Sequence, residues 1–204
     1  MAIKKNKILY IHGFMSGGNS MTVKRLEKHY GYIFDFITPE LDGNVDKSLK
    51  IINKTIETEK PVMIIGSSLG GFYASVCNSG DIPVLVVNPC VNPYEHLKRY
   101  LGSVLKYHCK RNDKQETYEI TKEEIEKFKN YDIISSIKSK GNKISAILSI
   151  NDEILGDTHL SLFEKIRNEE TSDKKVFIAK GNFGHCAYPF GISDICDFIY
   201  ETLF

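Results

Sequence analysis

The sequence predicts an α/β fold, a mostly parallel sheet of about six strands with helices on both faces, carried by a single domain over residues 1–204. Three observations predict it. Apolar runs rich in β-branched residues alternate with polar stretches whose apolar residues return every three or four positions. That alternation implies a parallel sheet covered on both sides. The length suits one hydrophobic core, burying roughly 70% of the unfolded surface. Finally, there are no internal repeats, no low-complexity tract and no Pro/Ser/Gly-rich linker to divide the chain.

The elements follow in order. KILYIHG (7–13) reads as the first strand, SMTVKRLEKHYG (20–31) as a helix closed by Gly31, and YIFDFITP (32–39) as the second strand. VDKSLKIINKTIETE (45–59) is an amphipathic helix. VMIIGS (62–67) is a strand, a helix begins near Leu69, and PVLVVNP (83–89) is the fourth strand. KISAILSIND (143–152) and KVFIAKG (175–181) supply the last two strands, with HLSLFEKIRNE (159–169) and ISDICDFIYETLF (192–204) as helices. One segment breaks the rhythm. PYEHLKRYLGSVLKYH, the polar link CKRNDKQETYEI and TKEEIEKFKNYDII make a helical insertion over 92–135, longer than one crossover helix requires. Thr121 and Glu124 within it have capping-box spacing. It is either a longer connection with a charged outer face or a small lid beside the site.

Composition narrows the function. The 27 Lys+Arg against 26 Asp+Glu leave no basic field of the kind nucleic-acid binding needs. No run approaches the roughly 18 to 20 apolar residues of a membrane span. The start is charged, then apolar for only a few residues, with no small-residue cleavage site, so a mature cytoplasmic chain is expected. Its five cysteines, Cys77, Cys90, Cys109, Cys186 and Cys196, are odd in number and scattered, which fits reduced thiols and offers no metal-ligand spacing. No cofactor or metal is expected, and the oligomeric state is left open.

The chemistry starts at PVMIIGSSLGGF (61–72), where Gly66-Ser67-Ser68-Leu69-Gly70 fits G-x-S-x-G. A nucleophile held on a sharp strand-to-helix turn needs glycine two residues before and two after it, so that strand and helix can approach. That register selects Ser68, because Ser67 would need glycines where Ile65 and Leu69 stand. The helix behind it directs free N–H groups and its positive dipole end at a developing oxyanion. Phosphate-binding alternatives fail: no lysine follows the glycines as a P-loop requires, and G-x-G-x-x-G is absent. Gly70 has a place in the motif and Gly71 has none, so Gly71→Ala is expected to be the milder substitution.

A serine hydroxyl needs a base. In the chain order Ser, acid, His, the base lies on a loop after the last strand, which selects His185 in KGNFGHCAYPFG, bent by Gly181, Gly184 and Gly191. His29, His96, His108 and His159 lie on helix-like charged stretches and are expected in solvent. The acid belongs after the preceding strand. Asp152 comes directly off SAILSI and is favoured; Glu153 would point the other way if the chain stayed extended, and Asp157 suits a helix cap. The loop after the first strand and the residue after the nucleophile supply the oxyanion donors, here the amides of Phe14 and Leu69. His12 shapes that loop as a structural histidine. All four parts fall at C-terminal ends of expected strands, where open α/β sheets bind ligands.

With Ser68, Asp152, His185 and HGF in place, the chain resembles the α/β-hydrolases, and more narrowly the small bacterial serine esterases of the YqiA type. The narrower resemblance rests on ILYIHGFMS, IIGSSLGGFYA, LVVNPCVNPYEHLKRYLG, ETYEITKEEIEKF, SINDEIL and GNFGHCAY, which together span nearly the whole chain, with residues 88–97 the most discriminating. It implies a serine esterase with a triad at Ser68, Asp152 and His185, acting on short acyl esters and on acyl-CoA thioesters. Two stretches depart from the family pattern. Asn151 stands where a glycine is common, and Asn182-Phe183-Gly184 where a more acidic, glycine-rich turn is common. The expected partner is therefore a small-molecule acyl ester or thioester. A thioesterase or acyltransferase on the same triad is the second reading, with Lys106, Lys110, Arg111 and Lys114 either meeting coenzyme A phosphates or forming a solvated face. A non-catalytic binding protein that kept the fold is the third.

Overall fold

The structure, a computed structural model, describes residues 5–169, 177–186 and 192–204; Gly191 and the first two residues of the expected last strand lie outside them. The strands are β1 (Asn6–Ile11), β2 (Phe34–Ile37), β3 (Met63–Ser67), β4 (Val84–Val87), β5 (Val104–Lys106), β6 (Thr117–Glu119), β7 (Ile144–Ser149) and β8 (Phe177–Gly181). The helices are α1 (Met21–Tyr30), α2 (Val45–Glu59), α3 (Leu69–Val76), α4 (Pro93–Leu97), α5 (Lys122–Lys127), α6 (Ile133–Lys140), α7 (Thr158–Glu169) and α8 (Ile192–Leu203). Six strands pair in the order β2-β1-β3-β4-β7-β8, every pair parallel. This is the α/β architecture the sequence implies.

Alternation by two divides the strands between two cores. Ile8, Tyr10, Met63, Ile65, Leu85 and Val87 face α1 and α8, meeting Val23, Leu26, Ile195 and Ile199. Leu9, Ile11, Ile64, Val84, Val86 and Ala146 face the opposite layer, where Ile52 of α2, Phe72 of α3, Ile137 of α6 and Phe163 of α7 pack. Each fully buried Ile or Leu contributes roughly 1.5–3 kcal/mol, so two filled faces hold the sheet between its helices. Caps set the helix starts. Ser20 accepts from the Val23 amide, and Asn44 accepts from the Asp46 and Lys47 amides at 3.0 and 3.2 Å.

The order of strands places the site. From β1 the chain steps to β2 on one side, then returns past β1 to β3 on the other. The loops leaving β1 and β3 therefore diverge and open a crevice at the C-terminal edge.

The segment over 92–135 differs from its helical expectation. It holds α4 and α5, the latter with its capping box, the Thr121 side chain accepting from the Glu124 backbone N–H and the Glu124 carboxylate from the Thr121 backbone N–H, but between them β5 and β6 pair antiparallel. Gly102, at φ 75°, ends the helical run, and Leu105 and Tyr118 then turn inward at period two against the core. The tail of the segment becomes α6, which packs on α3 as a crossover helix. Beyond β5, Arg111 is buried rather than presented to solvent. Its guanidinium pairs with Asp113 and with Glu40 at 3.5 Å, donates to the Leu41 carbonyl at 2.9 Å, and lies 4.3 Å from the Tyr107 ring centroid. The ribbon tip is thus fastened to the body of the sheet, and Arg111 leaves the basic cluster; Lys106, Lys110 and Lys114 remain exposed.

Candidate active site

β3 ends at Ser67, and the chain reverses into α3 through Ser68 at φ 56°, ψ −121°. A non-glycine residue there stores strain of order 1–3 kcal/mol, and the surroundings must over-determine it. They do. The Ser68 amide donates to the Val87 carbonyl at 3.0 Å, and its carbonyl accepts from the Cys90 amide at 2.9 Å and the Gly71 amide at 2.9 Å. A Cβ on Gly66 would stand 2.3 Å from the Gly70 carbonyl oxygen, and one on Gly70 would stand 2.0 Å from the Ile11 carbonyl oxygen. Strand and helix touch backbone to backbone. Gly71 is not idle either, because its Cβ would lie 2.8 Å from Pro89. Gly70→Ala should therefore cost more than 100-fold in activity or prevent folding, while Gly71→Ala should destabilise by about 1–3 kcal/mol and stay active; thermal melts and ester assays of both variants check the order.

The sequence-selected residues converge on this serine. His185 Nε2 lies 2.8 Å from Ser68 Oγ, and His185 Nδ1 lies 2.8 and 3.0 Å from the two Asp152 oxygens. Burial works against charge on Asp152, but the His185 hydrogen bond and the Leu155 and Ile154 amides outweigh it and hold the carboxyl below its usual range. Glu153 does not point away. The chain turns after Asn151 instead of staying extended, and the Glu153 carboxylate accepts from the His185 backbone N–H at 2.8 Å. Asp157 stands just before α7 and accepts the Ser161 amide through its own carbonyl.

Sequence reading passes over a further residue here, Asn88. Fully buried at φ 42°, it accepts from the Ser149 amide at 2.7 Å and donates to the Gly184 and His185 carbonyls at 3.2 and 2.9 Å. It clamps the ends of β4 and β7 to the histidine loop. The two departures from the family pattern also answer one another, because the Asn151 side-chain Nδ2 donates to Asn182 Oδ1 across the acid and base loops. Ser149 adds a bond from its hydroxyl to the Phe183 carbonyl. Asn88→Asp keeps the acceptor but sets a carboxylate oxygen against two carbonyls. We expect kcat to fall at least tenfold with KM within threefold, which steady-state kinetics will read.

The model of an uncharacterised protein family, UPF0227, matches residues 7–169. The chain belongs to UPF0227. For this UPF0227 chain the fold extends past the matched stretch, through the histidine loop, in solved structures of low identity. Est1E from Butyrivibrio proteoclasticus is 13% identical, with 98% of this chain and 87% of that one covered, at TM-score 0.70. Alpha/beta hydrolase domain-containing protein 10 from mouse is 14% identical over 99% and 92%, at TM-score 0.65. A monoacylglycerol lipase from Paleococcus ferrophilus is 17% identical over 97% and 93%, at TM-score 0.64. The fold is that of the α/β-hydrolases.

In this UPF0227 chain Ser68 and His185 open on a cleft of about 560 Å³ walled by the β1 loop, the segment after β4 and the loop after β7. The amides of Phe14 and Leu69 have no hydrogen-bond acceptor among the described residues. Both belong to residues of the cleft wall. His12 Nδ1 donates to the Gly13 carbonyl at 3.0 Å, and Nε2 accepts from the Leu41 amide at 3.4 Å. Burial lowers its pKa, so a neutral ring braces the loop from below. Cys90 also lines the cleft, but burial pushes its thiol up to about 12, which leaves the hydroxyl of Ser68 as the better-placed nucleophile.

Two other histidines depart from their expected exposure. His96 is half-buried in the cleft wall, and His159 is fully buried on the face of α7 that carries Phe163 and Ile166. The spacing 159, 163, 166 is the inward face of a helix, a signal present in the sequence. His159 Nε2 lies 4.0 Å from Asp152, and burial lowers its pKa, so the ring sits behind the acid as a neutral packing group. His29 and His108 are exposed, although His108 also borders the cleft. Among the described residues no group of three His, Cys, Asp or Glu is placed to hold a metal, and no helix is long and apolar enough to cross a membrane.

Proposed function

We propose that the chain is a serine hydrolase that cleaves carboxylic esters through an acyl-enzyme. The observation that carries this reading is the continuous hydrogen-bonded line from Ser68 through His185 to Asp152 at the floor of a cleft. Ser68 Oγ attacks the ester carbonyl carbon as His185 Nε2 takes its proton, and Asp152 holds Nδ1–H so that Nε2 faces the serine. The oxyanion accepts from the Phe14 and Leu69 amides. The intermediate collapses, the alcohol leaves with the proton from His185, and an acyl-serine remains. Water, deprotonated by His185, attacks that acyl group; the acid departs and Ser68 recovers its proton.

The names of the structural neighbours, an esterase and a monoacylglycerol lipase among them, support ester chemistry. The test is a fluorophosphonate probe, which labels only an activated serine, combined with a chain-length panel of esters and acyl-CoA thioesters. Labelling at Ser68 with turnover of esters supports the proposal, and turnover of thioesters above esters of equal acyl length redirects it to thioester cleavage. A protein that neither labels nor turns over any ester is a binding protein on this fold.

A further inference from the structure

The cleft has a charge that ester chemistry alone does not require. Among the described residues its wall holds no aspartate or glutamate, yet it holds Arg99; His96, also on the wall, has its pKa lowered by burial, so the permanent charge there is that of Arg99. Arg99 follows α4, and among the described residues its guanidinium pairs with no carboxylate. Its Cζ lies 5.0 Å from the Tyr100 ring centroid, and that ring packs on Phe14 at 5.5 Å with an interplanar angle of 33°. Phe14 carries one of the two candidate oxyanion amides. The exposed Arg99 guanidinium thus lies over one ring of a tilted aromatic pair whose other ring, Phe14, belongs to the loop that borders Ser68. The neighbouring carboxylates are engaged elsewhere: Glu95 pairs with Lys98, Glu153 accepts from the His185 backbone N–H, and Asp152 accepts from His185 Nδ1.

A guanidinium with open donors on the wall of the cleft that holds Ser68 matches a carboxylate or phosphate in geometry as well as sign. Its contact with the Tyr100 ring uses none of its N–H donors. Resting on the ester-hydrolase reading above, we infer that the substrate is an anionic ester, one that carries a carboxylate or phosphate a few bonds from the scissile carbonyl, and that Arg99 is the residue that selects it. Neutral esters are turned over by the same triad without this contact. The anion can belong to the acyl side or to the leaving side, and each has its own arm in the test.

Two matched pairs of substrates make the measurement. On the acyl side, monomethyl succinate is compared with methyl succinamate, its neutral amide. On the leaving side, O-acetylglycolate is compared with O-acetylglycolamide. Acid release is followed for each at low ionic strength and at 0.5 M salt. The expected result is a kcat/KM ratio of anionic to neutral ester of about tenfold or more in one arm, reduced by salt, and reduced at least fivefold in Arg99→Gln. Arg99→Lys should keep part of the preference, because charge survives but the planar fork does not. Ratios within twofold of unity in both arms overturn the inference, as does a preference that Arg99→Gln leaves unchanged. If Ser68 still takes the fluorophosphonate label, that failure belongs to the anion alone; if labelling and turnover are both lost in the wild type, the hydrolase reading fails and the inference goes with it.

Discussion

Ser68→Ala lowers kcat on a simple carboxylic ester by about 10⁴-fold or more, with KM little changed and the thermal melt shifted by no more than a few degrees. The size follows from the geometry. Without Oγ there is no covalent intermediate, and His185 can only offer its Nε2 to water. The stability of the variant follows from the turn, because alanine keeps the Cβ that already stands at φ 56° and touches none of the backbone hydrogen bonds at Val87 and Cys90. Loss of activity together with loss of fold would point to a structural serine. Retention of most activity with the fold intact would sink the acyl-enzyme.

The second large effect separates the two carboxylates that meet the histidine loop. Asp152→Asn should lower kcat by about 10³ to 10⁴-fold, because an amide set to accept from His185 Nδ1–H no longer stabilises the imidazolium, and its NH₂ can impose the wrong tautomer. Glu153→Gln should cost about tenfold or less. Its oxygen still accepts the His185 backbone N–H, and only the charge assistance is lost. Equal losses in the two variants would mean that either carboxylate can serve. The pH dependence of stability also separates them. Asp152 has a folded pKa below its unfolded one, so its contribution is present above the ordinary carboxyl range and is lost as pH falls through the lower folded value. Asp152→Asn removes that part of the acid sensitivity, which urea titrations between about pH 2 and 6 will read.

What was legible beforehand depended on whether a residue acts through pattern or through distance. The six strands announce themselves because both faces are covered, so their apolar runs are continuous. Ser68 announces itself because only glycine permits backbones 2.0 to 2.3 Å from a would-be Cβ, and His185 because chain order limits where a base can arrive. Glu153 and Asn88 were not legible. Glu153 points away only if the chain stays extended, and a turn begins there; Asn88 acts through three bonds to residues at least 61 positions away. Asparagine is among the residues that most readily take positive φ, which is the faint local sign that Asn88 left. The ribbon β5–β6 was hidden because its strands are three residues long and their pattern is overshadowed by the helix-like spacing on either side.

The order of strands has a consequence for how the protein comes to exist. β1 to β4 are contiguous in space and are all made within the first 87 residues, so this half of the sheet can form while the rest is still being synthesised. β7 and β8 then add one after the other to its free edge. Ser68 belongs to the early half; Asp152 and His185 arrive with the late one. At about 5–20 residues per second, the 117 positions that separate Ser68 from His185 take roughly 6 to 23 seconds to make. A chain truncated before β8 would bear the strained turn without the His185 imidazole beside it, and the hydrogen-bonded line from Ser68 to Asp152 would be closed by the last strand to dock.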